Sequence, residues 1–96
     1  MIQSFADKTT AVIFQDRNTK DARRLPRTLW RVVQRKLKML DVAVRVTDLE
    51  SPPGNRLEAL KGQMRGRYSV RVNEQYRVTF KWENGHAFEA AVDDYH

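Results

Sequence analysis

Ninety-six residues suffice for one domain, here spanning positions 1–96, with a modest core, and are too few for two. With 41% apolar, 9% aromatic and 31% charged residues the chain is a globular domain rather than a disordered one, and the lack of cysteine excludes a disulfide framework, a thiolate zinc site and a Cys nucleophile. A net charge of +6 points toward a polyanionic partner.

The opening MIQSFADKTTAVIF lacks a basic leader followed by an apolar core, and no run approaches the roughly 18 apolar residues of a membrane span, so a cytoplasmic protein without membrane association is expected. IQSF suits a short strand, and Asp7 suits the cap of a helix over about residues 8–16. The β-branched Thr9, Thr10, Val12 and Ile13 would fit a strand equally well. LPRTLWRVVQRKLKMLDV opens with Pro26 in a position suited to a first helical turn and continues for about four turns. Leu29, Val33, Leu37 and Leu40 fall on one face, and Arg24, Arg27, Arg31, Arg35 and Lys38 on the other. Lys36 interrupts the apolar arc and is expected to snorkel from its edge. From Arg17 to Lys38 there are nine basic residues and one acid.

TDLESPPGN, Thr47 to Asn55, is expected to lack regular structure and to divide a helical half from a strand half. Beyond it RLEAL, Arg56 to Leu60, is expected as a strand leading into the turn KGQMRG. RYSVRV and YRVTFKW alternate apolar and polar residues with period 2, as half-buried antiparallel strands do, and AFEAAVDDY makes a further strand. Keeping the apolar residues together sets Val72 opposite Tyr76 across a three-residue loop, and Arg71 opposite Arg77. The same argument sets Trp82 opposite His86, with Glu83, Asn84 and Gly85 as the loop, Phe80 facing Phe88, and Arg77 facing Ala91. Parity thus gathers Arg71, Arg77, Asp93 and Tyr95 on one polar surface of an antiparallel, mixed-edge β-sheet packed against two N-terminal helices, an α+β fold.

Two arginines directly opposite one another repel, and an anion between them relieves the repulsion. Phosphate suits a basic protein, because guanidinium groups bind phosphoryl oxygens in bidentate fashion and stabilise charge developing on them. The alternative is that one or both arginines pair with Asp93 or Glu89 and solvate an exposed face. Breaking RNA by attack of a 2′-hydroxyl on the neighbouring phosphate needs a base, an acid and a cationic clamp. Tyr95 beside two guanidinium groups is a candidate base, and His96 a second proton carrier. His86, His96 and the scattered carboxylates show no metal-ligand spacing, and there is no phosphate-cradling glycine loop or nucleophile elbow, so no metal and no cofactor are expected. The basic helix face has three readings: solvated charge, a groove for an acidic partner segment, or a nucleic-acid contact.

Taken in order, RLEALKG, a strand ending in VN, YRVTF, an acidic residue near a glycine turn and a terminal DYH resemble the C-terminal half of HigB-type toxins of bacterial type II toxin–antitoxin systems, within the RelE/ParE superfamily. The N-terminal MIQSF and the helical half fit as well, so the resemblance spans essentially the whole chain. It implies a RelE-like fold and a ribosome-dependent mRNA endonuclease that binds the ribosome and its rRNA and cleaves the mRNA codon in the decoding site without a metal. It also implies neutralisation by a HigA-like helix-turn-helix antitoxin, with operator DNA bound only through the toxin–antitoxin complex. By position, Lys61 resembles the family's substrate-binding lysine and Arg77 its phosphate-binding arginine, while Arg71 supplies a second arginine. Asp94, Tyr95 and His96 match the C-terminal catalytic group. Glu58 stands where many relatives carry histidine in RLHPLKG, as a replacement base or orienting group. Parity favours Asp93 on the arginine face, whereas the motif favours Asp94. The rival functions are a gyrase-inhibiting toxin of the same fold and a non-catalytic basic domain that binds RNA or the ribosome.

Overall fold

A computed structural model of the chain describes residues 1–62 and 65–94. The first helix, α1 (Lys8–Phe14), starts where the Asp7 carboxylate accepts the Thr10 amide proton at 2.7 Å, which satisfies one of the orphan donors of the first turn. The second, α2 (Trp30–Val42), is preceded by two 3-10 turns, Ala22–Arg24 and Arg27–Leu29. Tertiary burial decides α1 in favour of helix despite its β-branched residues, because Thr10, Val12 and Ile13 all fall on the face it buries.

Val33, Leu37 and Leu40 of α2 are fully buried, as their spacing predicts. Lys36 departs from expectation. It does not snorkel to solvent; it is 7% exposed and donates its ammonium to Asn55 Oδ1. Asn55 is itself fully buried and donates its amide to the carbonyls of Leu49 at 3.1 Å and Ser51 at 3.3 Å. The proline-rich break is accordingly more ordered than its composition suggests, holding the 3-10 turns Val46–Glu50 and Pro53–Asn55 and a cis Ser51–Pro52 peptide. In the first of these turns Asp48 Oδ2 accepts the amides of Val44 at 2.9 Å and Arg45 at 3.0 Å, and these bonds hold the carboxyl below its usual range.

Four antiparallel strands follow in the order β1 (Glu58–Ala59), β2 (Arg67–Arg71), β3 (Tyr76–Glu83) and β4 (His86–Asp94). The expected strand over residues 56–60 survives as two residues. The free edge of β4 is covered by the N-terminal segment, which makes parallel bridges from Ile2 to Ala87 and from Phe5 to Ala90. The β-sheet therefore has a mixed edge, and its last long strand is shielded from pairing with another chain. Helices α1 and α2 cover one face, where Val70, Val78, Phe80, Ala87 and Ala90 join the helical side chains in the core.

Between β2 and β3 the register is the expected one. Arg71 stands opposite Arg77, and the Val72 amide bonds the Tyr76 carbonyl at 3.0 Å. Between β3 and β4 it differs at two places. Glu83 pairs with His86, so the turn is the two-residue Asn84–Gly85, whose φ values of 50° and 80° give the turn that matches strand twist. Trp82 therefore pairs with Ala87 rather than His86, and Phe88 lies opposite Lys81 rather than Phe80. The ladder then shifts between Thr79 and Lys81, where one extra residue of β4 bulges and Glu89 takes φ 54°. Beyond the bulge Thr79 pairs with Ala91, Val78 with Val92, and Arg77 with Asp93 instead of Ala91. Two one-residue offsets add to two, and parity is restored.

Candidate functional site

The outer face of the sheet, away from the helices, carries Arg67, Ser69 and Arg71 on β2 and Arg77, Thr79 and Lys81 on β3. At its end near the β2–β3 turn lies a cleft of about 410 Å³ lined by Arg56, Glu58, Arg71, Asn73, Glu74 and Arg77. Three of the expected site residues, Glu58, Arg71 and Arg77, meet there. Strand pairing explains how. Glu58 is in register with Ser69 on one side of β2, and Arg77 and Arg71 are cross-strand partners on the other.

Arg77 is 9% exposed, so its guanidinium is fixed rather than solvated. Its Nε donates to Ser69 Oγ at 2.8 Å and its Nη2 to the Arg56 carbonyl at 2.5 Å. Arg56 presents that carbonyl from a left-handed backbone at φ 44°, just after the Pro53–Asn55 turn. Arg71 is half-buried and has no carboxylate within ion-pair distance among the described residues. The cleft thus pairs a guanidinium tied to Ser69 and the Arg56 carbonyl with another that has no carboxylate partner among the described residues, beside the Glu58 and Glu74 carboxylates.

Glu89 does not reach these arginines. It lies 3.6 Å from Arg67 at the opposite end of the outer face. Asp93, directly across from Arg77, accepts the Thr79 hydroxyl at 2.5 Å. Asp94 pairs with Tyr76 and accepts the Gln75 amide at 3.1 Å, so strand geometry sets Asp93 on the arginine face and Asp94 on the alternate side of β4. Lys61 is exposed just beyond β1 and does not line the cleft. Tyr95 and His96 lie outside the described residues.

Sequence reasoning missed Arg56, Asn73 and Glu74 as lining residues. Asn73 carried a signal, since an asparagine opening a tight loop often bonds its own turn, and its Oδ1 accepts the amides of Gln75 at 2.9 Å and Tyr76 at 2.7 Å. Arg56 carried none, because its part rests on a backbone carbonyl. Among the described residues no group of three or more His, Asp or Glu side chains is placed to hold a metal ion, and no helix is long and apolar enough to cross a membrane.

The family model for the RelE-like HigB toxin of type II toxin–antitoxin systems matches residues 3–96. The chain belongs to this family. Toxin HigB-1 of Vibrio cholerae is 40% identical over 93 residues, which cover 97% of this chain and 96% of the relative. Endoribonuclease HigB of Proteus vulgaris is 29% identical over the full length of both chains. Among solved structures, the YoeB–YefM complex from Staphylococcus aureus contains a chain that superposes with a TM-score of 0.62 at 17% identity, covering 100% of this chain and 98% of that one. The YoeB dimer from the same organism gives 0.59 at 18% identity. At such identities the likeness bears on the fold, which is the α+β arrangement of RelE-like toxins. A HigB-like chain is the toxin half of a two-component system whose other half is an antitoxin.

Proposed function

We propose that this HigB-like toxin is a ribosome-dependent endoribonuclease that cleaves mRNA in the A site. The observation that carries the reading is the cross-strand pair Arg71 and Arg77 opening into one cleft with Glu58. In this mechanism the two guanidinium groups hold the scissile phosphate and stabilise the charge that accumulates as the 2′-oxygen attacks phosphorus, and Lys61, beyond β1 toward Arg67, binds the RNA away from the cleft. The P–O5′ bond breaks as the P–O2′ bond forms. A base takes the 2′-hydroxyl proton and an acid supplies one to the departing 5′-oxygen, leaving a 2′,3′-cyclic phosphate and a 5′-hydroxyl. Tyr95, His96 and Glu58 are assigned to these transfers; Asp94, the fourth residue of the family match, faces the alternate side of β4 from the arginines and is given no transfer.

Glu58 is the one of the four in contact with the cleft among the described residues, and a carboxylate there can accept a proton or orient a second group. In this reading the protein supplies the phosphate clamp and the ribosome orients the codon for in-line attack. A HigA-like helix-turn-helix antitoxin neutralises the toxin, and the complex, rather than the toxin alone, contacts operator DNA. The Proteus vulgaris relative, named as an endoribonuclease, supports the reaction class.

The test is to map 5′ ends of cellular mRNA after expression of the intact chain and of a chain ending at Asp94. Codon-phased cuts made by the intact chain and lost in the shortened one are expected. Growth arrest with intact mRNA would refute the proposal, and inhibition of supercoiling under the same conditions would assign the toxin to gyrase.

A further inference from the structure

We infer that Lys36 is a positioning residue for the cleft, acting through Asn55 on the loop whose Arg56 carbonyl fixes the Arg77 guanidinium. The inference rests on the proposed phosphate clamp. It starts from a buried group for which the fold has no evident use. Lys36 sits in the apolar stripe of α2 at 7% exposure, with no carboxylate within ion-pair distance among the described residues. An ammonium in such a place is unfavourable unless a fixed partner holds it, and a methionine would fill the space without that penalty.

The partner is Asn55, and its geometry points onward to the site. The Asn55 amide takes up the Leu49 and Ser51 carbonyls, which leaves its Oδ1 to face Lys36. Its backbone amide bonds the Pro52 carbonyl at 2.9 Å and closes the Pro53–Asn55 turn. The next residue, Arg56, follows this turn in the left-handed region, a conformation disfavoured for any residue with a Cβ, and its amide bonds the Pro53 carbonyl. In that conformation its carbonyl meets Arg77 Nη2, while Ser69 holds Nε. A continuous run of hydrogen bonds and one peptide unit therefore joins α2, on the inner side of the sheet, to the arginine on the outer side.

Charge follows the same path. Burial, then Arg35 from its own helix and Arg71 from β2, depress the Lys36 pKa from its ordinary value. Arg71 lines the cleft. A negatively charged occupant of the cleft offsets the repulsion that Arg71 exerts, so it favours the protonated form of Lys36, and protonated Lys36 in turn favours the occupant.

The experiment uses inorganic phosphate as the probe, followed by NMR at the Arg77 Nε–Hε and Lys36 side-chain resonances in the intact protein. Lys36→Met and Lys36→Arg are compared with the unaltered chain between pH 8 and 10.5, where phosphate keeps a constant charge. We expect Lys36→Met to remain folded, to shift the Arg77 resonance before any phosphate is added, and to bind phosphate about tenfold more weakly with a flat pH profile. The unaltered chain loses affinity as pH rises through the Lys36 titration, and Lys36→Arg restores affinity without that loss. In the unaltered chain phosphate raises the Lys36 titration midpoint, a measurement that needs no variant. An unmoved Arg77 resonance in Lys36→Met, or a midpoint unaffected by bound phosphate, overturns the inference. If the unaltered chain binds no phosphate, the clamp itself fails, and the Arg77 resonance of the free proteins still decides whether Lys36 positions that side chain.

Discussion

The two cleft arginines differ in what holds them, and that difference separates stability from activity. Replacing Arg77 by alanine removes the donors to Ser69 Oγ and the Arg56 carbonyl in a buried place, which should destabilise the fold by about 1–3 kcal/mol. Arg71 has no such ties among the described residues, and Arg71→Ala should stay within about 0.5 kcal/mol of the parent. Both should lose roughly 10²–10³ in cleavage rate if both guanidinium groups stabilise the attacked phosphate. Urea denaturation beside a codon-resolved cleavage assay reads the two effects separately, and equal destabilisation by the two variants would contradict the account. Asp48 offers a pH-dependent test. Its carboxyl is held below the usual range by the Arg45 and Val44 amides, so the stabilisation it provides is present above the ordinary Asp pKa and is lost as pH falls through the lower folded value. Asp48→Asn should therefore melt below the parent at pH 7, with the two melting temperatures converging as pH falls through the lowered Asp48 pKa.

Among the elements, the β3–β4 hairpin decides where the acidic end of the chain lies. Glu89 occupies the bulge at φ 54°, which for a residue with a Cβ is unfavourable by about 1–2 kcal/mol, and its exposed ion pair with Arg67 returns about 0–1 kcal/mol. Glu89→Gly should then be neutral or up to about 1 kcal/mol more stable. Deleting Glu89 removes the bulge and leaves Ala91 opposite Thr79, Val92 opposite Val78 and Asp93 opposite Arg77, so every face is kept. Its cost falls on the N-terminal segment, where Ile2 bridges Ala87, Phe5 bridges Ala90 and the Ser4 hydroxyl accepts the Glu89 amide. Calorimetry should show a cooperative transition for both variants, with the deletion melting lower than the glycine variant; loss of the transition in the deletion would mean that the bulge is needed for folding. The same hairpin marks how far the sequence can be read. Val72 opposite Tyr76, and Arg71 opposite Arg77, follow from parity because that loop leaves the ladder unbroken. The Asn84–Gly85 turn and the bulge each break the assumption of a continuous ladder, and Asp93 keeps its face because the breaks cancel. Lys36 was misread for a different reason: periodicity assigns a side chain to a face, but Asn55, its partner from 19 residues away, appears only once the chain has folded. The arginine pair of the cleft was legible, whereas the Arg56 carbonyl was not, since any residue type supplies one.

At the scale of the whole molecule, positive charge lies on two sides of a body about 32 Å long. One side is the cleft, on the outer face of the sheet. The other is α2, where Arg31, Arg35 and Lys38 line a groove with Phe14, Asp16 and Gln34, and where these three cations have no carboxylate within ion-pair distance among the described residues. The two surfaces share no lining residue, so a polyanion as large as a ribosome can engage both, with the proposed chemistry confined to the cleft. Replacing Arg31, Arg35 and Lys38 together with alanine should leave stability within a few tenths of a kcal/mol, because alanine is a better helix former and no ion pair is lost. Ribosome binding measured between 50 and 200 mM salt should weaken most at the low-salt end. The slope of log K against log salt should fall by about 2, near 0.7 for each phosphate contact removed. The codon-phased pattern of cleavage should persist at saturating ribosome concentration, since the clamp is untouched. An unchanged slope would place the polyanion entirely on the cleft side and leave the α2 face to a protein partner or to solvent.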